Sequence, residues 1–242
     1  MIIRRVSNSQ LLITQPDHAT LAARIMRQWV AGGLIDSPRR ETILLAVEQH
    51  DNGWKEIDAS PLLDARGRVL DFIAAPDDVK RDVWPRGIDR LAATPYAAAL
   101  VAEHALHIYH RNRNKHDWVS FFEQIETARE RYLLAAGQGT LDELRKDYFF
   151  VRAGDLASLT FCNGWTDVQS DDSEPSFHLT GDRLVITPDP FDGGRVSMTI
   201  DARELPDQPF ASAAEALGVF TNAPTVVVTG TASGSSANLA PR

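Results

Sequence analysis

Histidine and aspartate stand side by side at His50–Asp51, at the end of an apolar helical run. Three further residues of the same chemical kind, His18, His104 and Asp155, each fall on the apolar stripe of a predicted helix. An ionisable side chain on such a stripe is costly unless it finds a partner. One bound cation would give all of them the same partner. Imidazole nitrogen and carboxylate oxygen together suit a divalent ion such as Mn, Fe, Co, Ni, Zn or Mg. Neighbours on a helix point about 100° apart, so His50 and Asp51 can reach one ion together only near a helix end, and Gly53 supplies that end. Taken singly, each residue has an ordinary reading as a hydrogen-bonded core histidine or a capping aspartate. The metal reading rests on their convergence.

The elements that must position these groups follow from capping and periodicity. Ile2 to Ile13 reads as a hairpin turning at Ser7-Asn8-Ser9. Asp17 is expected to cap a first helix whose inner face carries His18, Leu21, Ile25 and Trp29. Ser37-Pro38 opens a second, with Ile43, Ala46, Val47 and His50 on its stripe. The stretch from Trp54 to about Pro76 lacks periodicity, as lids and binding loops often do. A helical patch follows, expected to break at Pro85. Thr94-Pro95 starts the helix that carries His104, and another amphipathic helix ends at Gly137. Thr140 and Glu143 form a capping-box pattern for the last long helix, which carries Tyr148, Asp155 and Cys162 and stops at Gly164. Beyond Trp165 the pattern alternates, with turns at Thr180-Gly181-Asp182 and Asp192-Gly193-Gly194.

The expected fold is mainly α: a helical bundle of about residues 15–165 with a small antiparallel sheet at 176–232, which the N-terminal hairpin is a candidate to join. One domain spans 1–232, and the small polar residues of 233–242 read as a disordered tail.

A length of 242 residues allows one substantial core, and 43% hydrophobic with 24% charged residues fits a globular chain. A net charge of -8 opposes broad binding to duplex nucleic acid or an anionic membrane surface. The single cysteine, Cys162, excludes an internal disulfide framework and suits a reducing cytoplasm; on the inner face of its helix it reads as packing. Neither a signal peptide nor a bilayer span is expected.

The order His18, His50–Asp51, Asp155, with each residue on a helix, resembles the HD superfamily of metal-dependent phosphohydrolases. Those proteins complete a mononuclear site around the adjacent pair with an upstream histidine and a downstream aspartate. "DHATLA", "ILLAVEQHD" and "AGDLASL" are the matching contexts. More closely, "LITQPDH", "HDNGW", "EHALHIY" and "DLASLTFCNGW" resemble a bacterial family known as domain of unknown function 3891 over nearly the whole chain.

The superfamily resemblance implies an HD-like bundle, one divalent ion on His18, His50, Asp51 and Asp155, and hydrolysis of a phosphate ester or nucleotide-like small molecule. Asp51 would then orient water, and His104 would serve the leaving group or developing charge. Substrate contacts are expected from Trp54 and Lys55 after the pair and from Arg152 one turn before Asp155. Trp54 reads equally as a pocket wall or a core anchor, and Arg111, Arg113 and Lys115 as a phosphate grip or a solvated surface run. The chain departs from many HD enzymes in placing Trp54 before Lys55. Two rival functions remain: an iron-dependent oxygenase on a similar scaffold, and a non-catalytic metal- or metabolite-binding module.

Overall fold

A computed structural model describes residues 1–137, 139–169 and 175–235. The chain opens with strands β1 (Ile2–Val6) and β2 (Ser9–Ile13), joined by the two-residue turn Ser7-Asn8 in which Val6 faces Ser9. Helix α1 (Gln15–Arg27) starts one turn earlier in its capping than expected. Its cap is Thr14, whose hydroxyl accepts from the Asp17 backbone N–H at 3.2 Å, and Asp17 sits inside the first turn where its charge suits the helix dipole. Helix α2 (Arg40–Gln49) begins past Ser37-Pro38, and that serine accepts from the Arg39 N–H instead.

Helix α3 (Asp77–Asp89) runs straight through Pro85. Burial of Val83, Trp84 and Ile88 on its inner side outweighs the one backbone bond that proline removes. Helices α4 (Pro95–Ile108), α5 (Val119–Ala136) and α6 (Leu141–Asn163) follow the sequence closely. Pro95 is the first residue of α4, the Thr140–Glu143 capping box opens α6, and Gly137 and Gly164 end α5 and α6 at positive φ.

The chain then builds β3 (Asp167–Val168), β4 (Ser176–Thr180), β5 (Arg183–Thr187), β6 (Arg195–Pro206), α7 (Ala213–Asn222) and β7 (Thr225–Gly234). All the described strands join one seven-stranded sheet of order β1-β2-β6-β7-β5-β4-β3. This corrects the expectation of a mainly helical bundle with a small antiparallel sheet. The sheet is mixed, because β7 lies antiparallel to β6 and parallel to β5. Its strands come from both ends of the chain, and the N-terminal hairpin enters through β2 against β6. Ser233 and Gly234, read as tail, belong to β7, and Ser235 N–H donates to the Ile186 carbonyl. The rest of that expected tail lies outside the described residues.

Helix α6 is buried on two sides because it stands between layers. Helices α1, α2 and α4 pack on one side of it, and strands β1, β4 and β5 on the other. That double burial explains why Phe150, Ala157 and Phe161 are covered as fully as Leu144, Val151 and Cys162 of the expected inner face. Met1, Leu12, Val69, Leu205, Phe210 and Ala216 form a second, smaller core that includes α7 and part of the irregular segment after Trp54. Because Ile13 joins the main core while Leu12 joins the small one, strand alternation carries both. Among the described residues, no helix is long and apolar enough to cross a membrane.

Candidate metal centre

His18 stands in the first turn of α1, His50 caps the end of α2, and Asp155 lies mid-way along α6. The chain leaves helical geometry at Asp51 (φ −108, ψ 17), which frees the aspartate from the fixed angle to its neighbour and lets both face one point. Two glycines permit the close packing. A Cβ at Gly53 would lie 2.0 Å from the Val83 carbonyl, so the turn Asn52–Trp54 docks on α3 only without a side chain. A Cβ at Gly154 would meet Met26 at 2.7 Å and Val47 at 3.0 Å, so α6 comes close to α1 and α2 just where it must deliver Asp155.

The structure brings the four expected ligands together. His18 Nε2 is 2.8 Å from Asp51 Oδ2 and 3.9 Å from Asp155 Oδ1. His50 Nε2 is 3.6 Å from Asp51 Oδ2 and 3.4 Å from Asp155 Oδ1. Atoms that each lie ~2 Å from a common ion are about 3–3.5 Å from one another; the two His50 pairs are near that spacing, while His18 is closer to Asp51 and farther from Asp155. His104 Nε2 is 3.8 Å from Asp155 Oδ2, and its Nδ1 is 3.1 Å from the Tyr148 hydroxyl. Two overlapping groups result, His18–His50–Asp51 and His50–His104–Asp155, each with its ligand atoms within 4.8 Å.

Hydrogen bonding behind the cluster fixes which nitrogens face it. His50 Nδ1 lies 2.7 Å from the Val47 carbonyl, which only accepts, so Nδ1 carries the proton and the neutral ring turns a bare Nε2 inward. That Nε2 is buried without a hydrogen-bond partner. His18 Nδ1 lies 2.8 Å from Ser158 Oγ, which is also 3.0 Å from the Asp155 carbonyl, and its Nε2 is hydrogen-bonded to Asp51 Oδ2 at 2.8 Å. An outer partner on the far nitrogen of each histidine is what metal-ligating imidazoles require.

Electrostatics agree. Burial alone would keep His50 neutral, yet the nearby Asp51 and Asp155 carboxylates lift it to about 9. Burial would raise Asp155, but the close approach of His50 and the surrounding imidazoles bring it down to about 2. His104 goes the other way: burial pushes it down to about 4, only partly opposed by the Asp155 and Asp51 charges. The cluster thus wants a cation at His50 and holds His104 neutral.

Asp51, His104 and Asp155 border a cavity of about 240 Å³, whose other walls include Trp54, Trp84, Tyr109 and Phe72. Trp54 is both of its expected alternatives, a buried core aromatic and a cavity wall. Lys55 is exposed and lines a separate polar groove with Asn52, Arg90 and Arg203. Arg152 is half-buried and does not border the cavity. Arg111, Arg113 and Lys115 are exposed, with Arg113 paired to Glu126 at 2.6 Å. Lys80, Trp84 and Tyr109, which do line the cavity, carry no local signature: each fits an ordinary surface or core position of its helix. Ser158 was detectable, since it follows Asp155 by three residues and so shares its helix face.

The chain belongs to the family described as Protein of unknown function (DUF3891), whose model matches residues 1–207. That match covers the N-terminal hairpin, every residue of the cluster and the sheet through β6. No curated protein and no solved structure matches the chain.

Proposed function

We propose that this protein hydrolyses a phosphate ester of a small molecule, with one divalent cation held by His18, His50, Asp51 and Asp155. The observation that carries the reading is the buried, unpartnered His50 Nε2 facing two carboxylates, with His18 Nε2 held 2.8 Å from one of them. The ligand order, which resembles that of the HD superfamily, supports the phosphohydrolase class. A divalent ion bound there supplies Lewis acidity and lowers the pKa of a water to near neutrality.

The protein's own groups do the rest. Asp51 and Asp155 border the cavity and present acceptors that orient an attacking water. As the water oxygen bonds to phosphorus, the ester P–O bond breaks with its electron pair, and the proton lost by the water ends on the leaving oxygen. His104 stays neutral at pH 7 and gives the cavity a hydrogen-bonding group steadied by Tyr148. Lys80 is the cationic side chain on the cavity wall and supplies the counter-charge for phosphate. A small-molecule substrate fits the size of the cavity and the acidic chain, and the lone buried cysteine suits a cytoplasmic setting.

Elemental analysis of purified protein, then a phosphatase and nucleotide panel with Mn or Ni restored, tests the reading. About one ion per chain, lost in His50→Ala, and turnover of a phosphoester are expected. Equal metal content in wild type and variant would overturn the site. Bound metal with no phosphoester turned over would favour a binding module. The second group, His50–His104–Asp155, supports one other reading, an iron-dependent oxygenase, which two irons per chain and colour in air would reveal.

A further inference from the structure

The cavity beside the cluster is walled by aromatic rings and holds few cations. The rings are Trp54, Phe72, Trp84 and Tyr109, with Trp84 set edge-on to His104 at 5.6 Å and to Tyr109 at 6.2 Å between ring centroids. Its rim is apolar and open. Ile73 and Ile108 border it and are 56% and 41% exposed, an arrangement that leaves aliphatic side chains in water when nothing is bound. Lys80 is the single lysine or arginine among the bordering residues, and its ammonium already donates to the Ile73 carbonyl at 2.7 Å.

Polar recognition comes from three other positions, Gln15, Trp54 and Trp84, the last with its Nε1 buried without a partner. Gln15 and Trp54 both border the cavity, both are 2% exposed, and the Gln15 Oε1 and Trp54 Nε1 atoms are buried without partners. Buried polar atoms of this kind are costly unless a ligand or water answers them. At about 240 Å³ the space is below the ~300–1,000 Å³ of drug-sized sites, so the ligand is small. A nucleoside di- or triphosphate brings three or four negative charges. Such ligands are normally met by several cationic groups, and one lysine beside two aspartates is a poor match.

Resting on the phosphohydrolase reading above, we propose that the substrate is a small aryl phosphate monoester: a single planar ring held among Trp54, Phe72, Trp84 and Tyr109, with its phosphate turned to Lys80 and the cluster. Aromatic walls favour a planar ring through offset or edge-on contacts. The short reach from Trp84 to His104 puts a ring bound there directly beside the cluster.

The test is binding, followed by tryptophan fluorescence and calorimetry on the metal-reconstituted full chain, with phenylphosphonate as a probe that cannot be hydrolysed. Phenylphosphonate should bind about tenfold or more tightly than methylphosphonate, and more tightly than AMP or ATP. Trp84→Ala should reduce the phenyl-over-methyl preference severalfold while changing methylphosphonate binding little. Should that variant fail to fold, Ile108→Asp alters an exposed rim position and should lower the same preference. Lys80→Gln should weaken both phosphonates alike. Equal affinity for the two phosphonates, tighter binding of AMP or ATP, or an unchanged preference in Ile108→Asp would overturn the proposal. A ring preference in a chain that turns over no phosphoester would uphold the cavity and sink the hydrolase. Turnover without that preference would do the reverse.

Discussion

Two polar clusters lie between α2, α4 and α6: Arg39 and His50 flank α2 at its two ends, and α4 and α6 each give one residue to each cluster. At the first, Arg39 Nε donates to Asp147 Oδ2 at 2.6 Å and the Tyr96 hydroxyl donates to the same oxygen at 2.7 Å. The hydrogen bond and charge of Asp147 raise the Arg39 guanidinium still further above its ordinary value. Donors and acceptors match, and no cation is missing. At the second, His50, His104 and Asp155 come together with His18 and Asp51, and the inward nitrogen of His50 has no partner. Burial of charge is common to both. The difference lies in what is left unanswered, and that marks the second cluster as a place for a ligand and the first as a strut.

Substitutions at matched positions break this comparison if it is wrong. Asp155→Ala should abolish measurable divalent-ion binding by calorimetry and remove the rise in melting temperature that added ion gives the wild type. A variant still stabilised by the ion would contradict the ligand assignment. Asp147→Ala should do the opposite, costing about 3 kcal/mol in urea unfolding by stranding Arg39 and the Tyr96 hydroxyl, with metal affinity unchanged. A smaller effect is expected at Ser158→Ala, which takes the partner from His18 Nδ1: metal affinity should fall ten- to a hundredfold with little loss of stability. The mildest is Gly154→Ala. Its added methyl must displace Met26 and Val47, at about 1 kcal/mol net of the better helix propensity, and should weaken metal binding through a shifted Asp155. Unchanged affinity there would show that α6 has slack at this position.

What could be read from the amino acids divides along the range of the forces involved. Helix ends depend on a few adjacent residues, so Pro95, Gly137, Thr140 with Glu143, and Gly164 were legible. The start of α1 was missed by one turn because Thr14 and Asp17 are both good caps and only the helix entry angle chooses between them. The sheet was largely hidden. Pairing of β5 with β7, or of β2 with β6, joins segments far apart in the chain, and the last residues of β7, Ser233 and Gly234, look like a solvated tail until neighbouring backbones satisfy them. The ionisable residues of the site stood out because each breaks an apolar stripe. The cavity did not, since Trp84, Tyr109 and Phe72 are the residues any core would use, and only packing shows that they leave a space between them.

Strand β7 sits in the interior of the sheet although it follows every other described strand. Until β7 pairs, β5 and β6 each keep an edge without its strand partner. Unpaired edges invite association with other chains, so the pairing of β7 with both neighbours guards the sheet against aggregation. The run Thr225–Gly234, short of large side chains at its end, acts as the closing wedge of the sheet.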